Sequence, residues 1–136
     1  IYVMFMKKSG KPQNRIDSLI GADTRIEGDV KFAGGLRVDG AIKGNISATD
    51  EQHGTLVISE HACIEGDINV AHLVINGTVT GSVSSCEFLE LQPHAQVTGD
   101  VHYNSIEIHL GAVIQGRLVH QASAGKAIGL KLASNN

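Results

Sequence analysis

The chain has 136 residues, of which 42% are hydrophobic, 4% aromatic and 18% charged, with 16 glycines and a net charge of −3. That length makes one domain with tails, and the two cysteines, Cys63 and Cys86, are too few for a disulfide framework. Charge is unevenly spread: residues 1–15 carry Lys7, Lys8, Lys11 and Arg15 and no acid, whereas the remainder holds seven basic and fourteen acidic residues, which argues against nucleic acid binding along the body.

Taken in chain order, residues 1–6 read Ile-Tyr-Val-Met-Phe-Met and run straight into Lys7-Lys8. Six apolar residues cannot span a bilayer, which needs about 20. They can enter the interface while lysines meet anionic headgroups, each worth about 1 kcal/mol near the surface. Membrane contact through Val3, Met4, Phe5, Met6, Lys7 and Lys8 is therefore predicted, weak for one copy and strengthened by avidity on a polymer. A leader without this role, with Met4 as initiator, is the alternative. Residues 7–15 read as a flexible tether, so 1–15 form one unit.

From residue 20 to 118 a motif recurs six times, with glycine between two branched apolar residues: Ile26–Val30, Ile42–Ile46, Ile64–Ile68, Val79–Val83, Val97–Val101 and Ile114–Leu118. Its glycines are 16, 22, 15, 18 and 17 residues apart, a serial pattern that means a stack of similar turns. Within each copy apolar residues fall on every second position, the strand period, and the residues between them are polar. Each copy is predicted to be strand, bend, strand, with glycine at the bend because a narrow core leaves no room for a side chain. Three copies are two residues longer than the shortest, with Ala62, Ala95 and Ala112 at the insertion, and a fourth carries Thr24 in that slot.

Stacked turns bury what a single turn cannot, pairing backbones about 4.8 Å apart. Ile42, Ile64, Val79 and Val97 are predicted to form one core ladder, and Ile46, Ile68, Val83 and Val101 another. The first turn presents Ile20, Ile26 and Val30, and the last presents Ile106, Ile108, Ile114 and Leu118. No polar cap helix is readable at either end. An open strand edge is a template for another chain, so these seven residues are the expected polymerisation interface. Residues 47–55 account for the long spacing and read as a polar loop. After Gln121 the repeat stops, leaving a solenoid domain over 16–121 and a flexible tail over 122–136.

The chain resembles the bactofilins, bacterial polymer-forming cytoskeletal proteins. The resemblance rests on Ile26-Glu27-Gly28-Asp29-Val30, on Leu36-Arg37-Val38-Asp39-Gly40 followed by Ile42-Lys43-Gly44-Asn45-Ile46, and on the later Gly-Asp-Ile and Gly-Asp-Val copies, over roughly residues 18–120. It implies an all-β, right-handed parallel β-helix of about six turns, end-to-end polymerisation without nucleotide, and filaments on the inner face of the membrane that position cell-wall or shape-determining proteins. Met4-Phe5-Met6-Lys7-Lys8 is similar to the family's membrane-targeting peptide. The partners implied are other copies of the chain, anionic inner-membrane lipids, and a cell-wall (M23-type) peptidase or other morphogenetic protein. With only Pro12 and Pro93, the chain departs from members that carry a long proline-rich tail.

Rival chemistries fit less well. A left-handed β-helix acyltransferase-like enzyme wants a strict six-residue period and a cleft histidine. A non-polymerising binding adaptor is the other alternative. The seven histidines (His53, His61, His72, His94, His102, His109 and His120) show no tight grouping with acids, so no metal or cofactor is expected. No phosphate-cradling Gly-x-x-x-x-Gly-Lys-Ser/Thr loop is present. Glu27, Asp29, Glu65 and Asp67 recur serially rather than as one special pair, and read as solubilising positions. Neither a disulfide network nor a secretory signal peptide is readable, which points to the cytoplasm.

Overall fold

A computed structural model describes residues 16–49 and 53–121. Fifteen strands make up the ordered pattern: β1 Ser18–Ile20, β2 Arg25–Glu27, β3 Val30–Phe32, β4 Gly35–Val38, β5 Ala41–Lys43, β6 Ile46–Ala48, β7 Thr55–Ile58, β8 Cys63–Glu65, β9 Ile68–Ile75, β10 Thr78–Thr80, β11 Val83–Leu91, β12 Gln96–Thr98, β13 Val101–Ile108, β14 Val113–Gln115 and β15 Leu118–His120. Every pairing is parallel, and each strand pairs with the equivalent strand one turn away. The result is a parallel β-solenoid of about six turns.

Each turn has three sides, not the two strands and one bend the repeat suggested. One side stacks β1, β4, β7 and the C-terminal halves of β9, β11 and β13. A second stacks β2, β5, β8, β10, β12 and β14. The third stacks β3, β6, the N-terminal halves of β9, β11 and β13, and then β15. The extra side arises because the apolar pair upstream of each glycine motif, such as Leu36 and Val38, is a strand of its own.

Aliphatic ladders run along each side of the stack. Ile26, Ile42, Ile64, Val79, Val97 and Ile114 pair in sequence along the second side. Val30, Ile46, Ile68, Val83, Val101 and Leu118 do so along the third. The first side contributes Ile20, Val38, Ile58, Ile75, Leu91 and Ile108 in one register. These columns converge on one buried aliphatic core, which includes Phe32 and has the partly buried Tyr103 packed against it.

The corners explain the remaining sequence signals. At the long corners, Thr24, Ala62, Ala95 and Ala112 donate their main-chain N–H back to Gly21, Ser59, Gln92 and His109, closing a tight turn. Ala62 and Ala95 point into the core, where a larger side chain would not fit. The residues of the motif glycines are crowded in a different direction from the one expected. A Cβ on Gly44, Gly66, Gly81, Gly99 or Gly116 would strike the carbonyl of the glycine one turn below. The missing room is therefore along the stacking axis, not toward the core.

Between the third and first sides the chain is more varied. β9 simply bends at Ala71, with a register shift between Val70 and His72. In β11 two residues, Cys86 and Glu87, bulge out. Ser85 is buried at that bend, its Oγ lying 2.8 Å from the Ala71 carbonyl and 2.9 Å from that of Phe88. The insertion is shorter than 47–55: residues 47 and 48 finish β6 and Thr55 begins β7, because both ends keep their ladder partners.

The axial crowding has a measurable consequence. Gly66 has φ of +152° and the Gly44 carbonyl beneath it, whereas Gly28, in the first turn, has φ of +135° and nothing within 4 Å of an added Cβ. Gly66→Ala is expected to cost at least about 3 kcal/mol, against about 1–2 kcal/mol for Gly28→Ala, in urea unfolding of the dispersed protein. Equal losses would show that backbone angle alone governs these positions.

Candidate assembly interface

A solenoid turn satisfies its backbone through the turns above and below it. At the N-terminal end β1, β2 and β3 have a partner on one side only, and at the C-terminal end so do the second half of β13, β14 and β15. Among the described residues no strand pairs with either outer edge. The aliphatic columns are exposed to match. Leu91 and Val101 have no accessible surface, but one turn further on Ile108 and Leu118, in the same columns, are 47% and 46% exposed. Ile106 and Ile114 are half-buried, as are Ile20, Ile26 and Val30 at the other end. Leu110, Val113, Ile16 and Leu19 add further exposed apolar surface near the two ends. The eight interior ladder residues are all buried.

Side chains reinforce the stack on its outside. Asp29 Oδ1 accepts the Asn45 N–H at 2.9 Å, Asn45 Oδ1 accepts that of Asp67 at 2.9 Å, and Asp67 Oδ1 accepts that of Ser82 at 3.0 Å. Asp100 Oδ1 accepts the Arg117 N–H at 3.1 Å, and Arg117 Nη2 also reaches Asp100 Oδ2 at 3.1 Å. The acid or amide after Gly28, Gly44, Gly66 and Gly99 thus ties one turn to the next, whereas Gly81 is followed by Ser82. Asp29 and Asp67 are structural acceptors, a correction to their reading as solubilising groups. The series ends at Arg117, whose guanidinium offers no acceptor. The hydrogen bonds were legible only as a preference for Asp or Asn after glycine.

A shallow groove of about 380 Å³ includes Arg37, Asp39, Ser59, His61 and Gln92 in its lining. One tight group does exist where none was expected: Glu90, Glu107 and His109 bring their ligand atoms within 4.8 Å of one another. The spacing concealed it, because Glu90-x-Gln92 and Glu107-x-His109 are equivalent positions in successive turns. The leader residues Val3, Met4, Phe5, Met6, Lys7 and Lys8, and the tail from 122, lie outside the described residues. No helix among the described residues is long and apolar enough to cross a membrane.

Comparison with known proteins agrees with this architecture. The family model for bactofilins, described as polymer-forming cytoskeletal, matches residues 18–119. The chain belongs to the bactofilin family. Bactofilin BacO of Myxococcus xanthus (strain DK1622) is 28% identical over 102 residues, covering 75% of this chain and 78% of that protein. A cryo-EM reconstruction of Thermus thermophilus bactofilin double helical filaments shares the fold, with a TM-score of 0.64 and 24% identity over 76% of this chain and 99% of that one. This bactofilin is accordingly a polymer-forming cytoskeletal protein that associates with copies of itself, and a structural element rather than an enzyme. The acyltransferase and adaptor readings are set aside.

The Asp100–Arg117 contact makes the last turn sensitive to acid. The Arg117 side chain, and then its main-chain N–H, hold the Asp100 carboxyl below its ordinary range. A lowered folded value means that the contribution is complete above the unfolded value of about 4 and is lost as pH falls through the lowered one. Amide exchange across residues 113–121 is therefore expected to accelerate, beyond its intrinsic rate, below about pH 4. Asp100→Asn keeps an acceptor for the Arg117 N–H but cannot titrate, so it should flatten that response. The same acid loss in both proteins would remove Asp100 as its source.

Proposed function

We propose that this bactofilin is a scaffold whose copies meet end to end, through Ile20, Ile26 and Val30 on the first turn and Ile106, Ile108, Ile114 and Leu118 on the last. One observation carries the reading. Aliphatic columns that are sealed in every interior turn open to solvent at the two ends, beside strand edges with no partner among the described residues. Covering such ends with another copy removes apolar surface from water and satisfies the edge backbone at once. Assembly driven this way needs no nucleotide.

The leader supplies the second half of the proposal. Val3 to Met6 enter the interface, and Lys7 and Lys8 meet anionic lipid, so a polymer displaying many leaders lies on the inner face of the cell membrane. A cytoplasmic polymer held there is suited to positioning cell-wall or shape-determining proteins, an M23-type peptidase among them. The family resemblance and the basic, apolar leader support this part.

Both halves are testable on the purified full chain. Without nucleotide, negative-stain images should show filaments. Leu118→Arg places a charge where the folded monomer already tolerates exposure, so it should leave the β-type circular dichroism intact and shift the sedimenting polymer to small soluble species. Persistent filaments in that variant would put the contact elsewhere. Removing residues 1–8 should abolish co-sedimentation with anionic vesicles while filaments keep their length. Undiminished vesicle binding by the truncated chain would refute the role given to the leader.

A further inference from the structure

We propose that Glu90, Glu107 and His109 form a site for a first-row divalent cation, zinc foremost, that clasps the last turn of the solenoid to the turn before it. Glu90 on β11 and Glu107 on β13 are direct partners in the parallel ladder, on the outer side of the first face. Like charges stacked in register oppose pairing unless something positive lies between them. Elsewhere this outward column is neutral or mixed: Leu19, Arg37, Val57 and Val74 precede Glu90. The two carboxylates are thus an arrangement of the last two turns.

His109 follows directly after β13 and is fixed by its main-chain N–H bond to the Leu91 carbonyl at 2.9 Å. Its Nε2 lies 3.0 Å from Glu90 Oε2 and 3.2 Å from Glu107 Oε2. One ring nitrogen carries at most one proton, yet two carboxylates converge on it. Ligand atoms about 2.0–2.2 Å from a tetrahedral zinc ion stand roughly 3.3–3.5 Å apart, so only small side-chain movements separate the observed triangle from a coordinated one. Gln92 Nε2 donates to Glu90 Oε2 at 3.3 Å and helps to orient it from outside.

One imidazole and two carboxylates suit zinc or a neighbouring transition ion, with further positions for water. Calcium and magnesium favour more oxygen donors and do not favour imidazole. The donors span two turns, so an ion there adds a cross-link between them. The turn it holds is the one that presents Ile106, Ile108, Ile114 and Leu118. His94 and Glu60, 3.9 Å apart, make only a two-donor pair and serve as a control.

The test is calorimetric titration of the full chain with zinc chloride, with amide exchange read alongside. One ion should bind per chain, and Glu107→Gln and His109→Gln should each weaken binding by about tenfold or more, while His94→Gln leaves it unchanged. Zinc should slow exchange across residues 106–120 in the parent chain and not in Glu107→Gln, an isosteric change at an exposed position that leaves the fold intact. The proposal is overturned if the parent chain takes up no zinc at about 1 mM, if Glu107→Gln binds as well as the parent, or if the loss follows His94 instead.

Discussion

The structure depends on backbone hydrogen bonding that runs along the solenoid axis. Each interior strand is held by the strands directly above and below it, and three or four residues per side cannot bury a core without them. This way of building has no internal stopping point. In a closed barrel the last strand returns to the first, whereas here the first and last turns keep one edge unpaired among the described residues. The same feature that makes the interior regular leaves the ends incomplete, and a polymer is the physical completion of such a molecule.

Specific residues hold successive turns together along the axis. The motif glycines allow adjacent turns to approach so closely that any side chain would meet the carbonyl beneath. Asp29, Asn45, Asp67 and Asp100 then convert the outer corner into a second line of hydrogen bonds parallel to the first. Along the flanks, outward positions such as Lys31, Lys43, Glu65 and Asn69 are charged or polar and exposed. An acidic body repels its neighbours sideways while its apolar ends attract. The end-to-end growth proposed above rests on where polar and apolar groups sit on the turn.

Much of this was legible from the residues alone. The alternation of Ile, Val and Leu with polar residues fixed both ladders, from Ile26 to Ile114 and from Val30 to Leu118, because a one-residue slip would turn every aliphatic outward. The Ala slot at Ala62 and Ala95 was legible only as the point of a two-residue insertion, and the structure makes it a buried corner. What was missed has a common cause. The third side of each turn, the axial crowding at glycine and the Asp–Asn series all concern relations between one turn and the next. Such relations depend on which residues stack, and Glu90, Glu107 and His109 became a group only once the register placed successive turns in contact. The seven residues of the proposed interface are the terminal, inward positions of the repeat. The structure describes all seven as more exposed than their interior counterparts, while the leader lies outside the described residues.

End-to-end assembly is best tested by a reconstruction of this protein's own assembled form at side-chain resolution. Neighbouring copies should meet across their terminal turns, with Leu118, Ile108 and Ile114 on one contact surface and Ile20, Ile26 and Val30 on another, while the charged flanks stay free. Copies joined flank to flank, with those residues still open to solvent, would contradict it.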